Sequence, residues 1–176
     1  VALGHRLDGA RLLGPHGAFV PVLEAKMVHH FDHRFGTYAG ASQSNLNQSA
    51  LPQSSEQQHQ DPCINATPLH CVRDVEVANR LSDKWVRGWL LGWRDITNAQ
   101  NERTVVASLF PRQGVGNTSP VLLSDLNPAL VSALYANLCS FVLDYAARQK
   151  VGGVHINYLQ LKQFPVLAPA TYAAIT

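Results

Sequence analysis

The sequence predicts an α+β fold, with mixed β-strands and helices packed against them. Two observations predict the strands: Thr104-Val105-Val106-Ala107-Ser108-Leu109-Phe110 is rich in β-branched and aromatic residues, and the apolar run Trp89–Trp93 precedes it. A third predicts the helical part, since Pro128 to Lys150 repeats apolar residues at helical spacing. At 176 residues, 46% hydrophobic and 15% charged, the chain fits one domain over 1–176, able to bury a core without metal or disulfide staples.

From Arg11 to Val28 the pattern is extended. Leu12-Leu13, a Gly-Pro-His-Gly turn at Gly14 to Gly17 and Phe19 to Leu23 read as a hairpin or two short strands, with Pro21 near a strand start or on an edge. Glu24 to Tyr38 is polar and aromatic and leaves the sheet. Residues 39–68 are dominated by Ser, Gln, Asn, Ala and Gly, and read as a flexible polar loop that adds little core. Asp74 to Trp85 reads as a helix with Asp74 as a possible cap. After the strands comes a glycine loop from Arg112 to Asn117, then a strand over Pro120 to Leu123. Asn127 caps and Pro128 opens one long helix to Lys150, with Leu130, Leu134, Leu138, Phe141 and Tyr145 along its apolar stripe. Gly152-Gly153 ends it. Val154 to Leu167 reads as a short strand, a helical turn around Tyr158 to Gln163, and Phe164 to Leu167.

The formal charge is +2 with eight histidines, and arginine outnumbers lysine ten to four. Arg, Asn and Gln can bond base edges in pairs, and bare glycine backbone can approach phosphates. The same composition arises from Arg-rich codon usage. Three cysteines without a Cys-x-x-Cys pair encode neither a disulfide framework nor a thiolate zinc site and suit a cytoplasmic protein. No apolar run approaches the roughly 18–20 residues of a membrane span. The first residue is Val1, and the chain is expected to be a piece of a longer protein.

Val22-Leu23-Glu24-Ala25-Lys26-Met27-Val28-His29-His30-Phe31-Asp32-His33-Arg34-Phe35 resembles the opening of the specificity domain in large adenine-specific DNA methyltransferases of the type IIG and phage-defence kinds, with Ala25 where Gly is common. Leu91-Gly92-Trp93-Arg94-Asp95-Ile96 with Asn101-Glu102-Arg103-Thr104 is similar to the same family. Asn137-Leu138, Phe141 to Tyr145, Arg148 to Gly153 and Leu161 to Leu167 resemble the close of TaqI-like specificity domains and, more loosely, type I specificity subunits. The matches span nearly the whole chain outside the polar loop. The resemblance implies a target-recognition domain that reads double-stranded DNA. S-adenosylmethionine would then belong to the parent's methyltransferase domain, which is this domain's other partner. No cofactor and no catalytic residue are expected in this chain. It lacks the Asn/Asp-Pro-Pro-aromatic loop that holds a target adenine, since Asn127-Pro128-Ala129-Leu130 reads as a helix start. Gly114-x-Gly116 follows a strand but opens no evident helix.

The candidate DNA-facing edge is Arg148-Gln149-Lys150 with Gly152, Gly153, His155 and Asn157. The same residues also suit a helix C-terminus, where cations and glycine are favoured. Arg112 and Asn117 make a second candidate loop, and Lys26, His30 and Arg34 a third. Arg94, Asp95, Glu102 and Arg103 balance their charges and are expected to brace the two strands as ion pairs. Two other functions compete. His29-His30-x-Asp32-His33 could hold Zn²⁺ or a nuclease metal, although adjacent histidines diverge and no metal is expected there. The chain could instead be an interaction module docking on its parent's other domains through an apolar patch that includes the tryptophans.

Overall fold

A computed structural model of the protein describes residues 4–48 and 50–173. Val1 lies outside the described residues, and so does Ser49 of the polar segment. The fold is α+β, with two sheets and seven helices among the described residues.

The first sheet forms from local hairpins. β1 (Arg6–Asp8), β2 (Arg11–Gly14) and β3 (Gly17–Leu23) run antiparallel in sequence order, and the expected turn at Gly14–Gly17 closes β2 on β3. Gly17 has φ 109°, a conformation a side chain would resist. β4 (Cys71–Arg73) returns from beyond the polar segment to pair with the middle of β3, Phe19 to Pro21, and β7 (Gly114–Val115) runs parallel to its last two residues. Pro21 therefore sits inside the sheet, opposite Cys71.

The second sheet is smaller and deeper. β5 (Trp89–Trp93) lies between β6 (Ala107–Pro111) and β8 (Val121–Leu122), antiparallel to both. Its side chains alternate between two cores. Leu91 and Trp93 join Val105, Ala107 and the helices, while Leu90 joins Leu23, Met27, Val28, Trp85 and Phe110 between the sheets. A strand buried on both faces reads as a continuous apolar run, as β5 does. Gly92 is required there, because a Cβ would lie 2.7 Å from the Pro120 carbonyl oxygen and 3.1 Å from the Phe110 ring.

Three expectations need correction. The polar segment carries two short helices, α1 (Gln43–Asn47) and α2 (Glu56–Gln60), each opened by a serine capping box, while Leu51 and Ala66 pack against the inter-sheet core. The helix expected over 74–85 is α3 (Asp74–Leu81), and Trp85 lies beyond it in the core. The long helix is two helices, α4 (Pro128–Cys139) and α5 (Phe141–Arg148), bent by 57° at Ser140. The Ser140 hydroxyl accepts the Leu143 amide and starts a new helix, so the buried face becomes Leu143, Asp144 and Ala147. Phe141 and Tyr145, expected in the apolar stripe, are 79% and 69% exposed. Two short helices follow, α6 (Tyr158–Leu161) and α7 (Pro169–Ala173). No single helix among the described residues is long and apolar enough to cross a membrane.

Candidate nucleic-acid interface

Three loops meet at the C-terminal end of β5. The Asp95 amide donates to the Thr118 carbonyl at 2.9 Å, and its carboxylate lies 2.8 Å from His155 Nδ1. Ile96 and His155 form an isolated bridge, and the Ile156 amide donates to the Asp95 carbonyl at 2.7 Å. The Thr97 amide donates to the Val154 carbonyl at 2.9 Å, so the 98–103 loop begins beside the 152–157 segment. Asn117, His155 and Asn157 are thereby brought close together. Gln149, Lys150, Gly152 and Gly153 are exposed on the same run of chain, and a Cβ at either glycine would meet nothing within 4 Å. The Asn157 side chain points back to the amides of Leu159 and Gln160 as the cap of α6, which fixes its direction.

Arg148 plays a different part from the one expected. Its Nη1 donates to the Ala99 carbonyl at 3.0 Å, and its Nη2 to those of Asn101 and Glu102 at 2.6 and 2.5 Å. Its Nε meets Asp144 Oδ2 at 3.0 Å. All its donors face inward, so it braces the loop from behind rather than facing outward itself. Asp144 also accepts the amides of Thr104 and Val105 at 2.8 Å each, and Arg103 Nε lies 3.5 Å from its Oδ1. Burial alone would raise its pKa. The Val105 amide, Arg148, Arg103 and the Thr104 amide outweigh that and hold the carboxyl below its ordinary value. In front of this brace the side chains of Gln100 and Asn101 are exposed and unbonded among the described residues. By sequence Asn98 to Glu102 reads as a polar turn between the two strands, and nothing in the spacing of Gln100 and Asn101 distinguishes them from ordinary turn residues.

The expected ion pairs among Arg94, Asp95, Glu102 and Arg103 are not formed. Arg94 Nε donates to the Val28 carbonyl at 2.9 Å, and its guanidinium lies over the Phe35 ring. Asp95 takes His155, and Arg103 takes Asp144 and the carbonyls of Cys139 and Ser140. Glu102 gives its carbonyl to Arg148, and its carboxylate forms no ion pair with Arg94 or Arg103. These residues still brace the structure, through other partners, because the chain turns away from the sheet on both sides of 98–103.

The remaining candidates are scattered. Arg112 lies at the opposite end of β5, its amide on the Gly88 carbonyl at 2.9 Å. Lys26 is 3.4 Å from Glu24 and over the Tyr38 ring. Arg34 turns inward to the carbonyls of His59, Asp61 and Ile64. His30 is also turned in. Burial, then the charges of Arg103 and His29, push its imidazole down to about 4, and both ring nitrogens are closed to solvent. Among the described residues no group of three His, Cys, Asp or Glu side chains converges as a metal site, and Asp32 is taken by the Arg34 amide and His59.

No protein-family model, curated protein or solved structure matches the chain. The geometry therefore stands on its own: a braced rim of amides, one free lysine and bare glycine backbone. Such a rim can hydrogen-bond base edges and approach a phosphate. Gly114 lies in β7, and among the described residues the chain continues from it through a loop to β8 rather than into a helix. Asn127 caps α4 by accepting the Leu130 amide at 2.9 Å.

Proposed function

We propose that this chain is a DNA-recognition domain of the TaqI-like kind, which reads duplex DNA for a larger adenine-specific methyltransferase of restriction-modification or phage defence. Methyl transfer and S-adenosylmethionine binding fall to the parent's other domain, and this chain has a reading role only. The observation that carries the proposal is the braced rim. Gln100, Asn101, Asn117, Gln149, Lys150 and His155 come from three loops gathered at one end of β5, with Gly152-Gly153 open beside them. Paired amides suit adenine in the major groove, Lys150 supplies a phosphate contact, and Arg148 and Asp144 hold the loops in register.

The test is selection from a randomised duplex pool at low and moderate salt, without metal. A short common motif is expected. Lys150→Ala should weaken binding to all sequences alike and lower the salt slope by about one, whereas Asn101→Ala should relax one position of the motif. Absence of binding at both salts overturns the reading. A second reading, an interaction module, is favoured by one observation: Phe141, Val142 and Tyr145 leave an apolar face of α5 uncovered. Its partner would be the parent's methyltransferase domain, and retention of that domain by a chain that ignores DNA would select it.

A further inference from the structure

The turn at His29–Asp32 is strained at its tip. The His29 amide donates to the Asp32 carbonyl at 2.7 Å and the Asp32 amide to the His29 carbonyl at 3.1 Å, leaving His30 and Phe31 as the two central residues. Phe31 has φ 59°, and no other non-glycine residue among those described has a positive φ. Turns that need this conformation take Gly or Asn, because a bulky side chain there crowds its own backbone. The strain yields no burial in return, since Phe31 is 75% exposed while His30 beside it is turned in.

Strain of this kind persists only where neighbouring structure enforces it. Here the Phe31 amide donates to the Tyr135 hydroxyl of α4 at 2.9 Å, and its ring meets the Tyr135 ring edge-on at 5.3 Å between centroids. Arg94 holds the base of the turn through the Val28 carbonyl. The ring is thus held outward on a fixed stem. The turn also adjoins the proposed interface. Arg94, which bonds the Val28 carbonyl at the base of the turn, is followed by Asp95, which holds His155 and the Thr118 and Ile156 backbone of the interface.

We infer that Phe31 is a stacking wedge of the DNA-facing surface, pressing its ring against the bases of a locally opened step in duplex DNA. This rests on the DNA-recognition reading above. Inserted apolar side chains part base steps in this way, and aromatic stacking tolerates any base because every base has a π-face. The wedge would therefore add affinity without adding sequence preference. Gln100 and Asn101 would carry the preference.

The test uses the full chain and a duplex recovered from the randomised pool, with 2-aminopurine placed in turn at each step. Phe31→Gly is the informative variant, since glycine accepts φ 59° and the melting temperature should hold or rise. Its affinity should fall about ten-fold or more, with an unchanged salt slope because no phosphate contact is lost. With the wild type, fluorescence should change at one step on binding, and Phe31→Gly should abolish that change. Tyr135→Phe, which removes the hydroxyl holding the turn, should give a smaller loss of the same kind. Wild-type binding that Phe31→Gly leaves within two-fold, or weakens only with a change in salt slope, overturns the wedge and leaves the recognition reading standing. A wild type that binds no duplex overturns both.

Discussion

Two arginines in this molecule hold two loops in the same way, and the difference between them lies in what stands behind each. Arg34 spreads its guanidinium over the carbonyls of His59, Asp61 and Ile64 and so pins the end of the polar segment. Arg148 spreads its own over Ala99, Asn101 and Glu102 and pins the 98–103 loop. Arg34 has no carboxylate against its guanidinium. Arg148 is backed by Asp144, 4% exposed, which also ties down the Thr104 and Val105 amides and Arg103. One loop is clipped from the surface, whereas the other is anchored through the core. A loop that must present Gln100 and Asn101 at fixed angles needs the second arrangement.

The sharpest way to break the contrast is Asp144→Ala. It removes the one carboxylate shared by two guanidinium groups and two buried amides, and should cost about 3–5 kcal/mol in urea unfolding. Arg148→Ala should cost less, about 1–3 kcal/mol, because Arg103 still neutralises Asp144. It should nonetheless reduce DNA affinity through loosening of the 98–103 loop, with accelerated amide exchange there as the check. Arg34→Ala should cost about 1 kcal/mol and speed proteolysis around 59–64 without changing the selected DNA motif.

Acid should separate the two regions. The carboxyl of Asp144 is held below its ordinary 3.8, so its stabilisation is present above that pH and is lost as pH falls through the folded value. His33, beside Arg34, is held below its ordinary 6.5 by burial and then by the Arg34 charge, so protonation favours the unfolded chain and stability declines as pH falls from 6.5. His33→Gln should lessen the fall in melting temperature in that upper window, where His29 and His30 also contribute, and Asp144→Asn should act only below it. The smallest effect belongs to Lys150→Ala, which should leave the melting temperature unchanged while weakening DNA binding.

Much of the fold was legible because burial dictates it. The apolar run of β5, the β-branched approach to β6 and the Gly14–Gly17 turn each have one cheap conformation. The break at Ser140 was not legible. Leu130, Leu134, Leu138, Phe141 and Tyr145 satisfy helical spacing throughout, and a serine in a helical run caps a new helix only when packing turns the chain there. The site was less legible than the fold. Arg148 and Lys150 are two residues apart with the same charge, yet one faces Asp144 and the other solvent. At the His30-Phe31 tip the polar ring is inside and the apolar ring outside, the reverse of what residue type suggests. Such choices are made by neighbours distant in sequence: Asp144 with the 98–103 carbonyls for Arg148, and Tyr135 for Phe31.

The anchoring of the 152–157 segment carries an optical signature. The Trp93 indole, 1% exposed, donates its N–H to the Ile156 carbonyl at 2.7 Å and meets the Tyr158 ring edge-on at 5.0 Å. Trp85 and Trp89 pack edge-on against each other under Arg87. With Phe substituted for those two, Trp93 becomes the sole tryptophan and, excited beyond the tyrosine absorption, reports on one segment alone. A duplex that lifts His155 and its neighbours would let water reach the indole and shift its emission to the red, and one that grips them in place would leave the spectrum unmoved.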